Sequence, residues 1–212
     1  MHIKVCCLSS PEEVAIAVAA GADILGFVAP PLGGLGVVPE ARIAAMVADV
    51  PPGFTCMLLT GHTDLDAIAA QVETIQPGAI QLVRPTRPEL RARLRERFPA
   101  LHIVQVVHVA GPDARSHARA AQEESDGILL DSSAPGKLGA TGETHDWGVS
   151  ARIVRGSDVP VTLAGGLNIQ NIEAAINTVR PQGVDLCTGV RTDGALDPDK
   201  TAAFIAAVRA AT

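Results

Sequence analysis

The chain has 212 residues, a length that suits one large-cored domain better than two and is economical for a single α/β barrel. Seventeen Lys and Arg against twenty-three Asp and Glu give a net charge of −6, and four Phe, one Trp and no Tyr leave little to stack on bases, so nucleic acid is excluded as an expected partner. The four cysteines, at 6, 7, 56 and 187, show no C-x-x-C spacing and no accompanying histidine cluster. No apolar run approaches the roughly 20 residues of a membrane helix, so the expectation is a reduced, soluble, cytoplasmic protein without disulfide, structural metal or membrane partner.

Short β-branched runs alternate with helical patterns along the whole chain. Strands are expected at "IKVCC", "DILGFV", "FTCMLL", "AIQLV", "HIVQVV", "GILLD", "PVTLA" and "GVDLC". Helices are expected near 11–20, 40–49, 64–74, 87–97, 112–123, 147–155, 169–178 and 199–210. Ser10-Pro11-Glu12-Glu13 carries a capping serine, a proline at the first helical position and an acid at the third, and Asp197-Pro198 opens the last helix similarly. Eight βα units in this length predict a single-domain (β/α)8 TIM barrel over 1–212, the fold class α/β. An open doubly wound sheet is disfavoured because no G-x-G-x-x-G follows the first strand. Arg84, Arg87, Arg91, Arg93, Arg95 and Arg97, interleaved with Glu89 and Glu96, read as a solvated outer helix face, with a patch for phosphate or an acidic partner as the alternative.

Reactive residues of such barrels sit at the C-terminal strand ends and in the loops beyond them. Cys6 and Cys7 end the first strand, where alternation lets only one of them face the mouth and the other packs; spacing alone does not choose. A thiolate there could be stabilised by Lys4 or a helix N-terminus. Cys56 and Cys187, among apolar neighbours, read as packing, and His108 as a structural histidine at the end of strand five. Asp131 ends "GILLD", where desolvation would raise its pKa and let it donate a proton. Gly136, Gly139 and Gly142 make the loop after it a candidate lid. Gly165 and Gly166 in "AGGLN", leading into a helix begun at Asn168, and Gly189 in "CTGV" form the two halves of a phosphate site after strands seven and eight.

These residues resemble the phosphoribosylanthranilate isomerase family over nearly the whole chain. "KVCCLSSPEE" is similar to its opening K-[IV]-C-G-[IL]-T, "GADILGFV" to its second strand, "GATGETHDW" to its G-[GT]-x-G-x-x-x-D-W segment, and "PVTLAGGLNIQNI" and "GVDLCTGV" to its seventh and eighth units. The resemblance selects Cys6 as the general base, with Cys7 where the family has glycine, and Asp131 as the general acid. It implies a small phosphorylated substrate, an Amadori rearrangement of an N-(5-phosphoribosyl) amine, no cofactor or metal, phosphate held by Gly165, Gly166 and Gly189, and Asp185 near the sugar.

Two positions depart from the family pattern. "PLGGLGVVPE" has Leu35 where the family's second loop carries an arginine for the anthranilate carboxylate, and "QLVRP" has Val83 where strand four usually ends Q-L-H-G. Both fall on the aglycone side, so a different phosphoribosyl amine, or a non-catalytic phosphosugar-binding barrel, stands beside anthranilate as an alternative. The oligomeric state stays open, as does whether Arg84 or His108 replaces a lost substrate contact.

Overall fold

Every strand that the hydropathy pattern marks out pairs with its neighbours in parallel. The computed structural model describes residues 1–111, 113–134, 137–138 and 144–212. Strands β1 (His2–Val5), β2 (Ile24–Val28), β3 (Thr55–Thr60), β4 (Ala79–Leu82), β5 (His102–Val109), β6 (Gly127–Ala134), β7 (Val161–Leu163) and β8 (Gly183–Leu186) alternate with helices α1 (Pro11–Ala20), α2 (Glu40–Ala48), α3 (Leu65–Ile75), α4 (Pro88–Arg97), α5 (Ala114–Gln122), α6 (Trp147–Arg155), α7 (Ile172–Val179) and α8 (Pro198–Ala210). Neighbours in sequence pair throughout, and β8 on β1 closes the ring as a (β/α)8 barrel.

Strand alternation divides the core in two. Ile3, Val5, Leu25, Phe27, Leu58, Ile80 and Leu82 point outward into the layer beneath the helices. Val28, Met57, Leu59, Ala79, Val104, Val106, Leu129 and Ala164 fill the barrel interior. Parallel strands covered on both faces must be apolar on both, which is why these segments read as continuous hydrophobic runs. Polar exceptions occur on both faces: Lys4, Gln81 and Asp185 occupy the inward parity of β1, β4 and β8, whereas Thr60 and Gln105 occupy the outward parity of β3 and β5, and all five are buried.

Local chemistry sets the helix starts. The Ser10 hydroxyl accepts from the Glu13 N–H at 3.3 Å ahead of Pro11, and the Asp197 carboxylate accepts from the Lys200 N–H at 3.0 Å ahead of Pro198. Two basic residues depart from the expected solvated helix face: Arg84 lies ahead of α4, in the loop after β4, and Arg91 turns inward. Arg91 is buried, its guanidinium donating to the carbonyls of Thr86 (2.7 Å), Glu123 (2.8 Å) and Ala120 (2.8 Å), so it ties α4 to α5. Helical periodicity alone does not show this, because an arginine can satisfy its donors on backbone carbonyls that only the tertiary fold brings near. Gly136, Gly139 and Gly142, the expected lid hinges, lie outside the described residues.

Candidate active site

The C-terminal strand ends and their loops surround a cavity of about 520 Å³, lined among others by Cys6, Asp131, Gly165, Gly166 and Asp185. Four of the loops thus converge on one mouth, and Gly189 adjoins it through its neighbour Thr188. A cavity of about 730 Å³ opens at the opposite end of the barrel. Its Asp23 already accepts from the Ile3 N–H and from Arg209, leaving that end no comparable convergence of acid and base.

At the first strand the alternation expected of Cys6 and Cys7 breaks. Cys6 extends the ladder, its N–H donating to the Leu186 carbonyl at 2.8 Å, but Cys7 adopts φ 63°, so both thiols line the mouth. Alternation holds only while the backbone stays extended, and one left-handed residue redirects its own side chain and the chain beyond it. The cysteine stands where the resembled family has glycine, the residue that takes this conformation without the roughly 1–2 kcal/mol steric cost.

An anchor that the sequence did not disclose holds this turn. Arg191 donates to the Cys7 carbonyl at 2.7 Å and pairs with Glu13 at 2.6 Å, both side chains being largely buried. Glu13 also accepts from the Leu196 N–H (2.9 Å) and the Ser9 N–H (2.9 Å). A glutamate legible only as a helix-start acid therefore ties the loop after β1 to the segment after β8.

The sulfurs form a chain. Cys187 Sγ lies 3.1 Å from Cys7 Sγ, which lies 3.7 Å from Cys6 Sγ. Cys187 is thus part of the mouth, contrary to its reading as packing, since its parity on the strand turns it inward with Asp185. The Cys7 S–H and then the Lys4 ammonium lower the Cys6 pKa, outweighing burial. Contact with Cys187, contact with Cys6 and burial push Cys7 well up and keep it a thiol. Buried Cys56 behaves as the inert packing residue expected, its thiol pushed up to about 11. Gly26 on β2 makes room for this arrangement: a Cβ there would lie 3.1 Å from both Cys6 Sγ and Lys4 Cε.

Lys4 and Asp185 are register partners across β1 and β8, and their side chains meet at 2.7 Å in the barrel floor. Burial opposes charge on both groups; it raises Asp185, whereas Asp185 and Cys6 together hold Lys4 above its ordinary value. The pair is ionised, because a neutral Asp185 would strand a buried ammonium and the short contact is that of a charge-assisted hydrogen bond. Asp185 Oδ1 is buried without a partner among the described residues. Asp131, across the mouth, has its pKa raised to about 6 by burial and then by Asp185, against the pull of the Ser132 N–H (2.8 Å) and Lys4.

The expected helix start at Asn168 is a folded turn instead. Asn168 Oδ1 accepts from the Gln170 N–H, Asn171 Oδ1 from the Asn168 N–H, and Asn171 Nδ2 donates to the Gly166 carbonyl, each at 2.9 Å, so α7 begins only at Ile172. Gly165 (φ 85°) and Gly166 (φ 63°) take consecutive left-handed conformations, and a Cβ on Gly165 would come within 2.7 Å of the Ser132 nitrogen. A Cβ on Gly189, in the short 3-10 turn Thr188–Val190, would fall on the Leu167 carbonyl oxygen. The glycines let the loops after β7 and β8 meet closely, with the Gly165 and Gly166 N–H groups bonded to no described residue.

Apolar Leu32, Leu35 and Val83 line another part of the mouth, together with Arg84 and Gln81. Gln81, whose Oε1 is buried without a partner among the described residues, went unrecognised in the sequence, although its inward parity between Ala79 and Val83 marks it. His108 Nε2 lies 3.2 Å from the Val83 carbonyl, and burial lowers its pKa, which keeps it a neutral structural group. Among the described residues no cluster of three His, Cys, Asp or Glu side chains is placed to hold a metal ion, and no helix is long and apolar enough to cross a membrane.

A parallel eight-stranded barrel whose mouth sets a lowered-pKa thiol, a raised-pKa carboxyl and glycine loops around one cavity is a fold and site of the class that moves protons on small ligands. The family profile of N-(5′-phosphoribosyl)anthranilate (PRA) isomerase matches residues 3–207, and the chain belongs to that family. An N-(5′-phosphoribosyl)anthranilate isomerase of Methanothrix thermoacetophila is 33% identical over 208 residues, covering 98% of each chain. One from Haloferax volcanii is 34% identical, covering 99% of this chain and 94% of its own. The crystal structure of phosphoribosyl anthranilate isomerase from Thermotoga maritima superposes with a TM-score of 0.85 at 26% identity, over 99% of each chain. Another structure of such an enzyme, in complex with reduced 1-(o-carboxyphenylamino)-1-deoxyribulose 5-phosphate, gives 0.82 at 25% identity, again over 99% of each.

Proposed function

We propose that the protein isomerises N-(5′-phosphoribosyl)anthranilate to 1-(o-carboxyphenylamino)-1-deoxyribulose 5-phosphate, an aldose–ketose step of tryptophan biosynthesis. The observation that carries this is the pairing of opposite pKa shifts in one mouth: Asp131 raised to about 6 and Cys6 lowered. A rearrangement that first donates and then abstracts a proton needs an acid that keeps its proton above the ordinary carboxyl range and a base that loses its proton below the ordinary thiol range, the directions in which the two groups are shifted.

The steps follow from placement. The Gly165, Gly166 and Gly189 loops hold the phosphate, where the Gly165 and Gly166 N–H groups, bonded to no described residue, and the close backbone approach favour an anion. Asp131 donates its proton to the furanose ring oxygen as the C1′–O bond opens, leaving an iminium conjugated to the arylamine. Cys6, as thiolate, removes the proton from C2′, and those electrons form the C1′–C2′ double bond while neutralising the iminium. The resulting enolamine tautomerises to the ketose, so substrate and product are isomers and no electrons leave the site. Asp185 Oδ1, an acceptor without a partner among the described residues, takes a sugar hydroxyl. Lys4 keeps both Asp185 and the thiolate charged.

Purified protein should convert phosphoribosylanthranilate, followed by the change in arylamine fluorescence. Cys6→Ala and Asp131→Asn should each lower turnover by on the order of 10²–10⁴. A Cys6→Ala variant with undiminished kcat would remove Cys6 from the mechanism.

A further inference from the structure

The two ends of the mouth differ in chemistry. Strands β3 and β4 stand opposite β7 and β8 in the ring, which is roughly 15 Å across for eight strands about 4.8 Å apart and tilted by about 36°. A ligand held by its phosphate over β7 and β8 therefore lays its far end over β3 and β4. There the loop after β2 supplies Leu32 and Leu35, and the end of β4 supplies Val83, an apolar wall suited to a flat aryl ring.

A carboxylate on that ring needs a cation, and Leu35 offers none. Of the described residues that line the mouth, Arg84 is the one Lys, Arg or His. It follows Val83 directly, at the opening of the loop after β4. The neighbouring basic groups are committed: Arg91 is buried on three carbonyls, and His108 is held neutral against Val83. The Arg84 guanidinium makes no hydrogen bond or ion pair with any described residue, and its side chain is exposed.

We infer that Arg84 is the specificity residue of the aglycone end, pairing with the ring carboxylate ortho to the substrate nitrogen. This rests on the function proposed above. The planar fork of a guanidinium accepts a carboxylate with two parallel hydrogen bonds, and seating the ring on Leu35 and Val83 withdraws the pair from water. The loop after β4 thus performs a task that the loop after β2, with leucine at position 35, does not.

Titration calorimetry decides the matter without relying on turnover. The probes are reduced 1-(o-carboxyphenylamino)-1-deoxyribulose 5-phosphate and the same compound lacking the carboxyl group. The wild-type protein should prefer the carboxylated compound by roughly 10- to 100-fold, the scale of a hydrogen bond to a charged group. Arg84→Gln should abolish that preference while keeping affinity for the other probe, which also shows that the variant is folded. Arg84→Lys should restore part of the preference, and so should Leu35→Arg placed in the Arg84→Gln background, because it returns a guanidinium to the same wall. An unchanged preference in Arg84→Gln overturns the inference, as does equal binding of the two probes by the wild type, which leaves the phosphosugar reading standing. Failure of the wild type to bind either probe overturns the proposed function and this inference with it.

Discussion

Replacing Asp131 with asparagine separates what the carboxyl does in the chemistry from what it does to the fold. Its pKa is about 6 in the folded protein against an ordinary 3.8, and burial is the first cause. The folded state therefore holds this proton more tightly than the unfolded chain, and stability present below about pH 4 is lost as pH rises through about 6. The ceiling for that loss is about 3 kcal/mol at 1.36 kcal/mol per pKa unit, and solvent reaching the mouth reduces the expectation to about 1–2 kcal/mol. The asparagine cannot ionise, yet it keeps a carbonyl oxygen for the Ser132 N–H. Urea denaturation at pH values from 4 to 8 should show Asp131→Asn more stable than wild type by about 1–2 kcal/mol above pH 6.5, the gap closing by pH 4, while kcat/KM falls on the order of 10²–10⁴. A variant destabilised at pH 7.5, or a gap independent of pH, would refute desolvation as the cause of the raised pKa.

The same groups shape other outcomes. In the wild type, kcat/KM should fall about tenfold per pH unit well above pH 6 as Asp131 ionises, and the acid limb of the profile should mark Cys6 taking up a proton, below the ordinary cysteine range. Cys7→Ala removes the S–H that lowers the Cys6 pKa, so a pH–rate series should show the acid limb displaced upward, with several-fold lower activity on that side; an unmoved limb would mean that Lys4 alone poises the thiolate. Glu13→Ala strands Arg191 and loosens the Cys7 carbonyl, and chemical denaturation should register a loss of about 3 kcal/mol. Gly189→Ala forces a methyl toward the Leu167 carbonyl, and calorimetry with ribose 5-phosphate should show weakened binding, whereas unchanged affinity would place the phosphate elsewhere.

The barrel was legible because parallel strands buried on both faces write themselves as eight mainly apolar runs, and Ser10-Pro11 and Asp197-Pro198 punctuate the chain chemically. The mouth was legible where a reactive side chain closes such a run, as Asp131 does. It was illegible wherever the outcome depended on backbone sign or on distant partners. The left-handed Cys7 put two thiols on one side, which strand parity forbids; the Arg191–Glu13 pair joins positions 178 residues apart. Arg91 and Arg84 belonged to one basic run in the sequence, yet the fold buries the first beneath α5 and sets the second at the mouth. Asn168 looked like a helix cap because asparagine side chains satisfy turns and helix starts by the same hydrogen bonds, and only the backbone path tells them apart.

If Cys6 and Asp131 act as base and acid on one phosphoribosyl arylamine, the C2′ hydrogen leaves as a proton to the thiolate, and isotopic substitution there tests it most directly. Phosphoribosylanthranilate carrying deuterium at C2′ is compared with unlabelled substrate under single-turnover conditions in ordinary water, and the product is analysed for deuterium at C1′. The wild type should show a primary isotope effect with the label lost to water in whole or in part, and Cys6→Ala should lose turnover. Undiminished turnover in Cys6→Ala, or complete migration of the label from C2′ to C1′ as in a hydride shift, would contradict it.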